Sequence, residues 1–358
     1  MTTADKKKTH QKVTLKTIGE RLGLTPGTVS AALNNSAAAR SIPEHTKQRI
    51  LQAARELNYR PNFFARTLRL KRTFTIGVIA SQIGDDYGSQ VINGIEHYLQ
   101  QRNFFFLTVV HRHDPKLMAT YSQLLLSRGV EGLITVDTSV TEATSVPTVA
   151  VAGHRPVAGV TNIILDHKKA VRLALEHLKN LGHEDIAFLK GQPFSSDSAS
   201  RWSAVCEVCE ELGIRIRPEL TAQLEGTDST PGIGYPVGKE LIARRIPFTA
   251  LFAYNDISAI GSIWAFHKAG LRVPEDISVV GFDDIPAAAF ANPALSTVRQ
   301  PLIRMGQIAA QTLVDQIEGR GEYVPEIAIE AEFVARASSG PARLNELKDE
   351  SVETRIAL

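Results

Sequence analysis

The sequence predicts an all-α N-terminal head followed by an α/β body of two lobes, each with a doubly wound parallel sheet. The 358 residues exceed one ordinary domain. Residues 14–60 alternate short helical patterns with breaks, which predicts three short helices. After the head, short β-rich runs such as TFTIGVIAS and DISVVGFDD alternate with helical stretches. This alternation is typical of parallel sheets that are covered by helices on both faces.

Charge is divided unevenly along the chain. Up to Thr75 there are 15 Lys and Arg against 4 Asp and Glu, whereas the remainder has 25 against 34. A basic module joined to an acidic one suits a phosphate-neutralising head on a separate body, because counterion release supplies most non-specific affinity for DNA. A basic arm on an unrelated enzyme would give a similar total, so the charge by itself leaves both classes open.

Several classes of protein are disfavoured by what the sequence lacks. No apolar run approaches the roughly 18–20 residues of a membrane span, and we expect a cytoplasmic, nucleoid-associated protein without membrane contact. Cys206 and Cys209 lie in a helical pattern and are interpreted as ordinary helix residues. The HRHD segment at 111–114 is interpreted as a polar loop after a strand. We therefore expect no metal, and we expect no cofactor. We also expect no enzymatic activity, because no nucleophile elbow or activated carboxylate pair is present.

The second helical pattern of the head has an explicit start. Thr25 can cap the free amides, and Pro26 takes the first helical position, where a missing N–H costs nothing. Apolar residues at helical spacings predict one shared interior, formed by Ile18, Leu22, Leu24, Val29, Leu33, Ile50, Ala54 and Leu57. Small side chains are left to face outward, as on a helix that enters a major groove: Thr28, Ser30, Ala31, Asn34 and Asn35. A three-helix protein-binding module is the alternative.

The segment after the head interleaves basic and apolar side chains, including Arg66 and Leu68. A helix of two turns is marginal alone in water, so we expect it to fold on DNA. There Leu68 can enter between base steps in the minor groove and bend the duplex. The alternative is a charged linker with a hydrophobic anchor.

Polar residues follow several predicted strands at their carboxyl ends. Tyr87 lies beyond the first strand, Asn255 and Asp256 follow LFAY, and Asp283 and Asp284 lie at the end of the run SVVGFDD. In doubly wound folds the carboxyl ends of the strands form the ligand cleft, which predicts a binding site here. Asn255 and Asp256 could instead cap the next helix, and Asp284 could satisfy loop amides.

Long segments of the chain stand in an order that resembles the LacI/GalR family of lactose-repressor-type regulators. The resemblance covers about residues 14–338. It is carried by TIGERLGLTPGTVSAALNNS, TKQRILQAARELNYRPNFFARTLRLKRTFTIGVIA, HLKNLGHEDIAFLKG, LFAYNDISAIGSIWAFHKAGLRVPEDISVVGFDDIP and NPALSTVRQP. The family implies a helix-turn-helix headpiece and a core like that of periplasmic sugar-binding proteins.

The resemblance also implies a division of the chain. We expect a disordered basic arm (1–13), the headpiece (14–60), a hinge helix with linker (61–73), a two-lobed effector-binding core (74–338) and a C-terminal tail (339–358). Lobe one is expected to comprise about residues 74–165 and 302–329, and lobe two about residues 166–298 and 330–338.

The family's functional positions carry over to named residues of this chain. The implied DNA contacts are Thr25, Pro26, Gly27, Thr28, Ser30, Ala31, Asn34, Thr46, Tyr59, Asn62, Ala65, Arg66 and Leu68. Arg201, Asn255 and Asp283 are implied effector contacts, and Tyr87 joins them by its place beyond the first strand. A guanidinium fork, an amide and a carboxylate can clasp vicinal hydroxyls, which favours a sugar or sugar derivative.

A homodimer is expected, because one short helix contacts only half a DNA site. The implied dimer residues are Ile260, Trp264 and His267, with burial inside the monomer as the alternative. The leading hypothesis is therefore a repressor of operator double-stranded DNA that is controlled by a small-molecule effector. The alternatives are a sugar-binding receptor or carrier with a helical protein-docking head, and an α/β enzyme with a basic arm.

Overall fold

The computed structural model describes residues 13–34, 36–60, 67–68, 70–153, 155–227 and 229–343. The chain divides into two compact units, residues 1–72 and residues 73–358. Apart from Val13, the predicted basic arm lies outside the described residues, as does the predicted tail beyond residue 343.

The first unit is a head of short helices whose ends are capped locally. Thr14 caps the first helix through reciprocal bonds with Thr17, and Gly23 ends it with a φ of 67°, a left-handed conformation that glycine adopts without strain. Thr25 caps the second helix and Pro26 occupies its first turn, as the sequence predicts. The elements are α1 (Leu15–Leu22), α2 (Pro26–Leu33), a 3-10 helix (Ala37–Ser41) and α3 (Glu44–Glu56).

One apolar cluster holds the head together. Ile18, Val29 and Ile50 are fully buried, one from each α-helix. All eight residues that the sequence predicts for this interior belong to the cluster. Burial of these side chains stabilises helices that are too short to persist alone in water.

The second unit is built from two six-stranded sheets. In chain order its first elements are β1 (Thr75–Ala80), α4 (Asp86–Gln101), β2 (Phe105–Val110), α5 (Pro115–Ser127), β3 (Gly132–Val136), β4 (Thr148–Val151) and β5 (Val160–Leu165). There follow α6 (His167–Asn180), β6 (Ile186–Lys190), α7 (Ser196–Leu212), β7 (Thr221–Gln223), α8 (Gly234–Ala243), β8 (Ala250–Phe252), α9 (Asp256–Lys268), β9 (Ser278–Asp283), α10 (Pro286–Phe290) and β10 (Ser296–Arg299). The last are α11 (Leu302–Ile317), β11 (Glu326–Ile329) and β12 (Glu332–Val334).

Each sheet forms one lobe. The first has the order β11-β5-β4-β3-β1-β2 with all neighbours parallel, and the second has the order β12-β10-β9-β8-β6-β7, in which only β12 is antiparallel. Strands such as β1 and β9 are buried along their whole length, because helices cover both faces. The predicted fold class, an all-α head with two doubly wound parallel-sheet lobes, is confirmed.

The chain passes between the lobes three times: after β5, after β10, and between β11 and β12. The carboxyl ends of β1 and β3 in lobe one and of β6, β8 and β9 in lobe two are followed by the loops that form the cleft described below. In lobe two, His183 contacts the last described segment: its Nε2 donates a hydrogen bond to the Gly340 carbonyl oxygen at 3.0 Å.

In lobe one, α4 and α11 approach each other through two glycines. A Cβ atom at Gly306 would lie 2.0 Å from the carbonyl oxygen of Val91, and one at Gly94 would lie 2.0 Å from that of Ile303. Real Cβ atoms do not approach backbone so closely, so both positions require glycine in this packing. The helix pair forms the apolar layer over one face of the sheet.

We expect Gly306→Ala to lower the free energy of unfolding of the core by about 1–3 kcal/mol, because the added methyl group must push α4 and α11 apart. Gly340→Ala is the matched control, since its Cβ would lie 3.4 Å from Pro274 Cγ, an ordinary contact. Its effect should stay within about 0.5 kcal/mol. Chemical denaturation measures both, and equal stability of the two variants would contradict the close approach.

Candidate functional site

The N-terminal half of α2 presents the outward surface of the head. Thr25, Pro26 and Gly27 are exposed, and Thr28 and Ser30 are half-buried. The Thr25 and Thr28 hydroxyls lie 2.9 Å apart, and Thr25 also accepts from the Thr28 amide, so these hydroxyls belong to the helix cap. Free amides and small hydroxyls at a helix N-terminus can bind phosphate or reach base edges.

One predicted DNA contact, Ala31, does not face outward as the sequence predicts. Ala31 is only 8% exposed. The 3-10 helix that follows α2 contacts α2, and the Ser36 amide before it donates to the Ala31 carbonyl oxygen at 3.2 Å. The sequence predicted the helix α2 correctly, but it did not reveal the 3-10 helix that follows it. Ala31 therefore belongs to the interior of the head rather than to its outward surface.

The remaining predicted DNA contacts differ in accessibility. Asn34 is exposed and its Nδ2 donates to the Ser30 carbonyl oxygen at 2.7 Å. Tyr59 packs partly against the head core, Thr46 is half-buried, and Leu68 is 84% exposed. Asn62, Ala65 and Arg66, like Asn35, lie outside the described residues.

The two lobes of the second unit enclose a cavity of about 760 Å³, part of which is open to solvent. It lies at the carboxyl ends of the strands, where the sequence predicts a ligand cleft. All four predicted effector residues line it: Tyr87 from lobe one, and Arg201, Asn255 and Asp283 from lobe two.

Arg201 is the buried centre of the lobe-two wall. Its Nη2 donates to Asp197 Oδ2 at 2.7 Å, and its Nη1 donates to the Tyr254 carbonyl oxygen at 2.6 Å. Nη1 also lies 4.0 Å from Asp283 Oδ1. The guanidinium carbon stands 3.8 Å from the centroid of the Phe282 ring. Because removing one member of a buried ion pair leaves an uncompensated charge, these groups are stable only together.

Asp283 ends β9 with a φ of 115°, in a backbone region that non-glycine residues rarely adopt. Gln300 holds it there: the Gln300 side chain donates to Asp283 Oδ1 at 2.6 Å, and the Gln300 amide donates to the Asp283 carbonyl oxygen at 3.2 Å. Burial raises the pKa of Asp283 to about 7, although Arg201 and Gln300 act in the opposite direction. The carboxyl group can therefore donate or accept a hydrogen bond near neutral pH.

The two neighbouring aspartates have a different role. Asp284 binds Arg299 Nε at 2.6 Å and Arg336 Nη2 at 2.7 Å. Asp256 is fully buried and bonds the loop that follows β9. Of these three aspartates, only Asp283 lines the cavity.

Asn255 and Tyr87 bring polar groups to the cavity in different ways. Asn255 Oδ1 accepts from the Ser258 amide at 3.0 Å and caps α9, so the capping alternative is correct for this oxygen. The Tyr87 hydroxyl is buried, and no hydrogen-bond partner for it lies among the described residues. Burial, with Asp197 and Asp137 nearby, raises the pKa of Tyr87.

Several polar residues of the cavity were missed at the sequence level, among them Asp85, Asp137, Asp197 and Tyr254. A signal existed for Asp197, which precedes Arg201 by four residues and so shares its helix face. Asp137 follows β3 with a φ of 44°, and its carboxylate accepts from the Ser81 hydroxyl at 3.2 Å. Its placement in the cavity depends on this local turn, which the sequence does not reveal.

The HRHD segment forms part of the cavity rim. The His113 ring of lobe one lies 4.1 Å from the Phe194 ring of lobe two, centroid to centroid. His111 is buried, its Nδ1 accepts from the His113 amide at 3.0 Å, and its Nε2 therefore donates to the Thr138 hydroxyl at 2.9 Å. Burial lowers the pKa of His111 to about 4.

Within the residues described, no group of three His, Cys, Asp or Glu side chains is arranged to hold a metal ion. Cys206 is exposed, Cys209 is buried, and both are free thiols on α7. None of the described helices combines the length and apolar character needed to cross a bilayer.

The three predicted dimer residues lie on α9. Trp264 is 51% exposed and its ring lies 4.2 Å from that of Tyr235, centroid to centroid. His267 is exposed, whereas Ile260 packs partly against the core of lobe two. The monomer therefore buries part of Ile260 but leaves Trp264 and His267 accessible.

Comparison with known proteins gives the family. Residues 14–62 match the family of bacterial regulatory proteins described as lacI family, and residues 175–339 match a periplasmic binding protein-like domain. The chain is 31% identical to the HTH-type transcriptional repressor PurR of Haemophilus influenzae, over 91% of this chain and 98% of that protein. The chain belongs to the LacI family.

Solved structures show the same architecture as this LacI-family chain. The Lac repressor dimer bound to operator and the anti-inducer ONPF has a TM-score of 0.81 and 26% identity, covering 92% of this chain and 100% of that one. The transcriptional regulator CelR–cellobiose complex has a TM-score of 0.67 and 25% identity, covering 91% and 100%. The LacI-family chain is thus a DNA-binding transcriptional regulator with a periplasmic-binding-protein-like core, and the carrier alternative is not favoured.

Replacing Asp283 by Asn should change how stability depends on pH. The folded chain retains a proton on Asp283 up to about pH 7, whereas the unfolded chain releases it near pH 4. This carboxyl therefore makes the free energy of unfolding rise as the pH falls through that range, by about 1 kcal/mol per pH unit. Denaturant titrations of wild type and variant at pH 5 and pH 8 measure the difference.

The exposed Glu184→Gln substitution is the control, because it removes a carboxylate outside the cavity. The control should keep the wild-type change in stability between pH 5 and pH 8, and Asp283→Asn should lose the part that favours acid pH. An identical pH dependence in all three proteins would show that Asp283 has an ordinary pKa.

Proposed function

We propose that this chain represses transcription by binding operator double-stranded DNA, and that a carbohydrate effector in the interlobe cavity controls the binding. The observation that carries the effector part is one cavity lined by Tyr87, Arg201, Asn255 and Asp283, which come from both lobes. A ligand that bonds groups on both lobes stabilises one lobe angle over others, so binding shifts the population of conformers.

The proposed DNA surface is centred on the start of α2. Its contacts are Thr25, Pro26, Gly27, Thr28 and Ser30, supplemented by Asn34, Thr46, Tyr59, Asn62, Ala65, Arg66 and Leu68, without Ala31. The exposed N-terminal turn of α2 and the excess of basic residues up to Thr75 support this assignment. The side chains at the start of α2 are small, so we expect DNA shape and bending to contribute to specificity along with direct contacts.

The carbohydrate class is supported by the chemistry of the cavity and by relatives. Carboxyl, amide, guanidinium and phenol groups converge there, and such groups bond vicinal hydroxyls. The CelR structure contains cellobiose, and a LacI-family regulator from Enterococcus faecium, 26% identical to this chain, contains ribose. The protein would act in the cytoplasm, where operator DNA lies.

Regulation follows from thermodynamic linkage between the cavity and the DNA surface. If the effector binds one lobe angle preferentially, and DNA binding favours a particular angle, each ligand changes the affinity for the other by the same factor. A homodimer is part of this proposal, because two heads on one duplex bind far more tightly than one. We therefore expect the DNA affinity to depend on both the effector and the dimer.

Enrichment from a random pool of double-stranded oligonucleotides tests the proposal. Full-length protein in low salt, with and without a panel of sugars, should enrich a sequence with two related half-sites. Affinity for that sequence should fall steeply as salt is raised, because bound phosphates release counterions. Failure to enrich any sequence under either condition would overturn the proposal, whereas sugar binding without DNA binding would indicate a carrier.

The enriched duplex then serves to test α2. Thr28→Val keeps the shape of the side chain and the backbone part of the cap but removes the hydroxyl, and should weaken binding about tenfold, or about 1.4 kcal/mol. Gln52→Ala, on the exposed side of α3, should leave the affinity unchanged. Equal affinities of both variants would remove Thr28 from the proposed surface.

The dimer is tested at Trp264. Trp264→Glu would place a charge in an apolar interface and should weaken self-association at least about tenfold. The control is Lys116→Glu, at an exposed residue of lobe one. It makes the net charge more negative than Trp264→Glu does, so it shows whether added acidity alone weakens association. Sedimentation velocity over a range of concentrations measures association, and an unchanged dimer in the Trp264 variant would place the interface elsewhere.

A further inference from the structure

The cavity between the lobes is lined by more acidic than basic side chains. Asp85 and Asp137 line it from lobe one, and Asp197 and Asp283 line it from lobe two. Among the described residues of its lining, Arg201 is the only permanently charged base. His113 also lines the cavity, but burial lowers its pKa and so favours the neutral ring. Burial raises the pKa of Asp283 to about 7 and also raises that of Asp85, which reduces their charge near neutral pH, but the four carboxyl groups still outnumber the single guanidinium.

Arg201 is poorly placed to offset an additional anion. One terminal nitrogen bonds Asp197, and the other bonds the Tyr254 carbonyl oxygen and lies near Asp283. The guanidinium carbon also lies 3.8 Å from the centroid of the Phe282 ring and 4.5 Å from that of the Tyr254 ring, and Arg201 Nε has no hydrogen-bond partner among the described residues. A phosphate or carboxylate in the cavity would therefore face several carboxylates and a single guanidinium, which already pairs with Asp197.

The acidic groups of the two lobes face a common, partly enclosed space. The His113 and Phe194 rings meet across the rim, so this arrangement of the lobes is a closed one on that side. Coulomb repulsion between carboxylates grows as water is excluded from such a space. Hydroxyl groups of a ligand can donate to these carboxylates, and a bound cation in addition reduces their net charge.

The buried Tyr87 hydroxyl indicates where a ligand group is missing. The part of the chain that the structure describes supplies it with no hydrogen-bond partner. The carboxylates of Asp197, Asp137 and Asp283 all act on it electrostatically. A buried polar group without a partner is destabilising, and a ligand that bonds it removes this cost.

We propose that the effector is an amino sugar, a polyhydroxylated ring whose protonated amine is held by carboxylates from both lobes, among them Asp137. This inference rests on the proposed carbohydrate effector and narrows its class. The hydroxyls bond Tyr87 and Asn255, and the amine lowers the repulsion that otherwise opposes closure of the lobes. Neutral sugars bind more weakly, and phosphorylated or carboxylated sugars are excluded.

Isothermal titration calorimetry on the full-length protein at pH 7 tests this class. The probes are glucosamine, galactosamine and mannosamine, each with its neutral parent hexose, its N-acetyl derivative and the parent hexose 6-phosphate. In at least one set the amine should bind about tenfold or more tightly than the parent and the N-acetyl derivative. The 6-phosphates should give no binding at millimolar concentration.

Asp137→Asn tests the assigned carboxylate. In this variant the preference for the amine over the parent sugar should fall to about threefold or less, since one compensating charge is gone. Glu184→Gln, which removes an exposed carboxylate from lobe two, should keep the full preference. Circular dichroism and thermal melting without ligand establish that both variants are folded.

Each result bears on the proposal in a definite way. Equal or tighter binding of a neutral or phosphorylated sugar, or an unchanged preference in Asp137→Asn, overturns the amino-sugar assignment while the carbohydrate effector stands. Failure of every sugar in the panel, charged or neutral, overturns the amino-sugar assignment and removes support from the carbohydrate effector as well. Operator enrichment is measured separately, so repression is judged independently of either outcome.

Discussion

The buried guanidinium of Arg201 is the interaction on which the cleft depends. It links Asp197 on its own helix with the Tyr254 carbonyl and approaches Asp283 at the end of β9, so one side chain connects three segments of lobe two. Desolvation of such charges is costly, and their mutual attraction offsets the cost only when the geometry is complete. The stability of this wall and its ability to meet a polar ligand therefore have the same origin.

Backbone conformation at the strand ends sets the direction of the Asp283 and Asp137 carboxyl groups. Asp283 and Asp137 both have positive φ values, 115° and 44°, which turn the chain sharply as it leaves a buried strand. Such conformations persist only when neighbours hold them, as Gln300 does for Asp283. Parallel strands that end at one edge thus supply a rigid frame, and the strained residues direct carboxyl groups from that edge into the cavity.

Because each lobe is closely packed, the angle between the lobes can change while each lobe keeps its internal structure. In lobe one, Gly94 and Gly306 let two helices touch through their backbones. A closely packed lobe resists internal deformation. The conformational change that a ligand causes between the lobes is therefore accommodated more readily at the three crossing segments than within either sheet. The head is stabilised differently, by short capped helices around Ile18, Val29 and Ile50.

Local signals in the sequence determined the helices of the head, their caps at Thr25 and Gly23, the buried parallel strands and the placement of Asn255 and Asp283 at strand ends, whereas Arg201 was implied by the family resemblance. These features depend on residues close in the chain or on periodicities of a single element. Tertiary structure alone decided that Ala31 is buried and that Asp85 and Asp137 of one lobe face Asp197 and Asp283 of the other. Contacts between elements distant in sequence have no periodic signature, because they arise only when the sheets are assembled and their loops meet across the cleft.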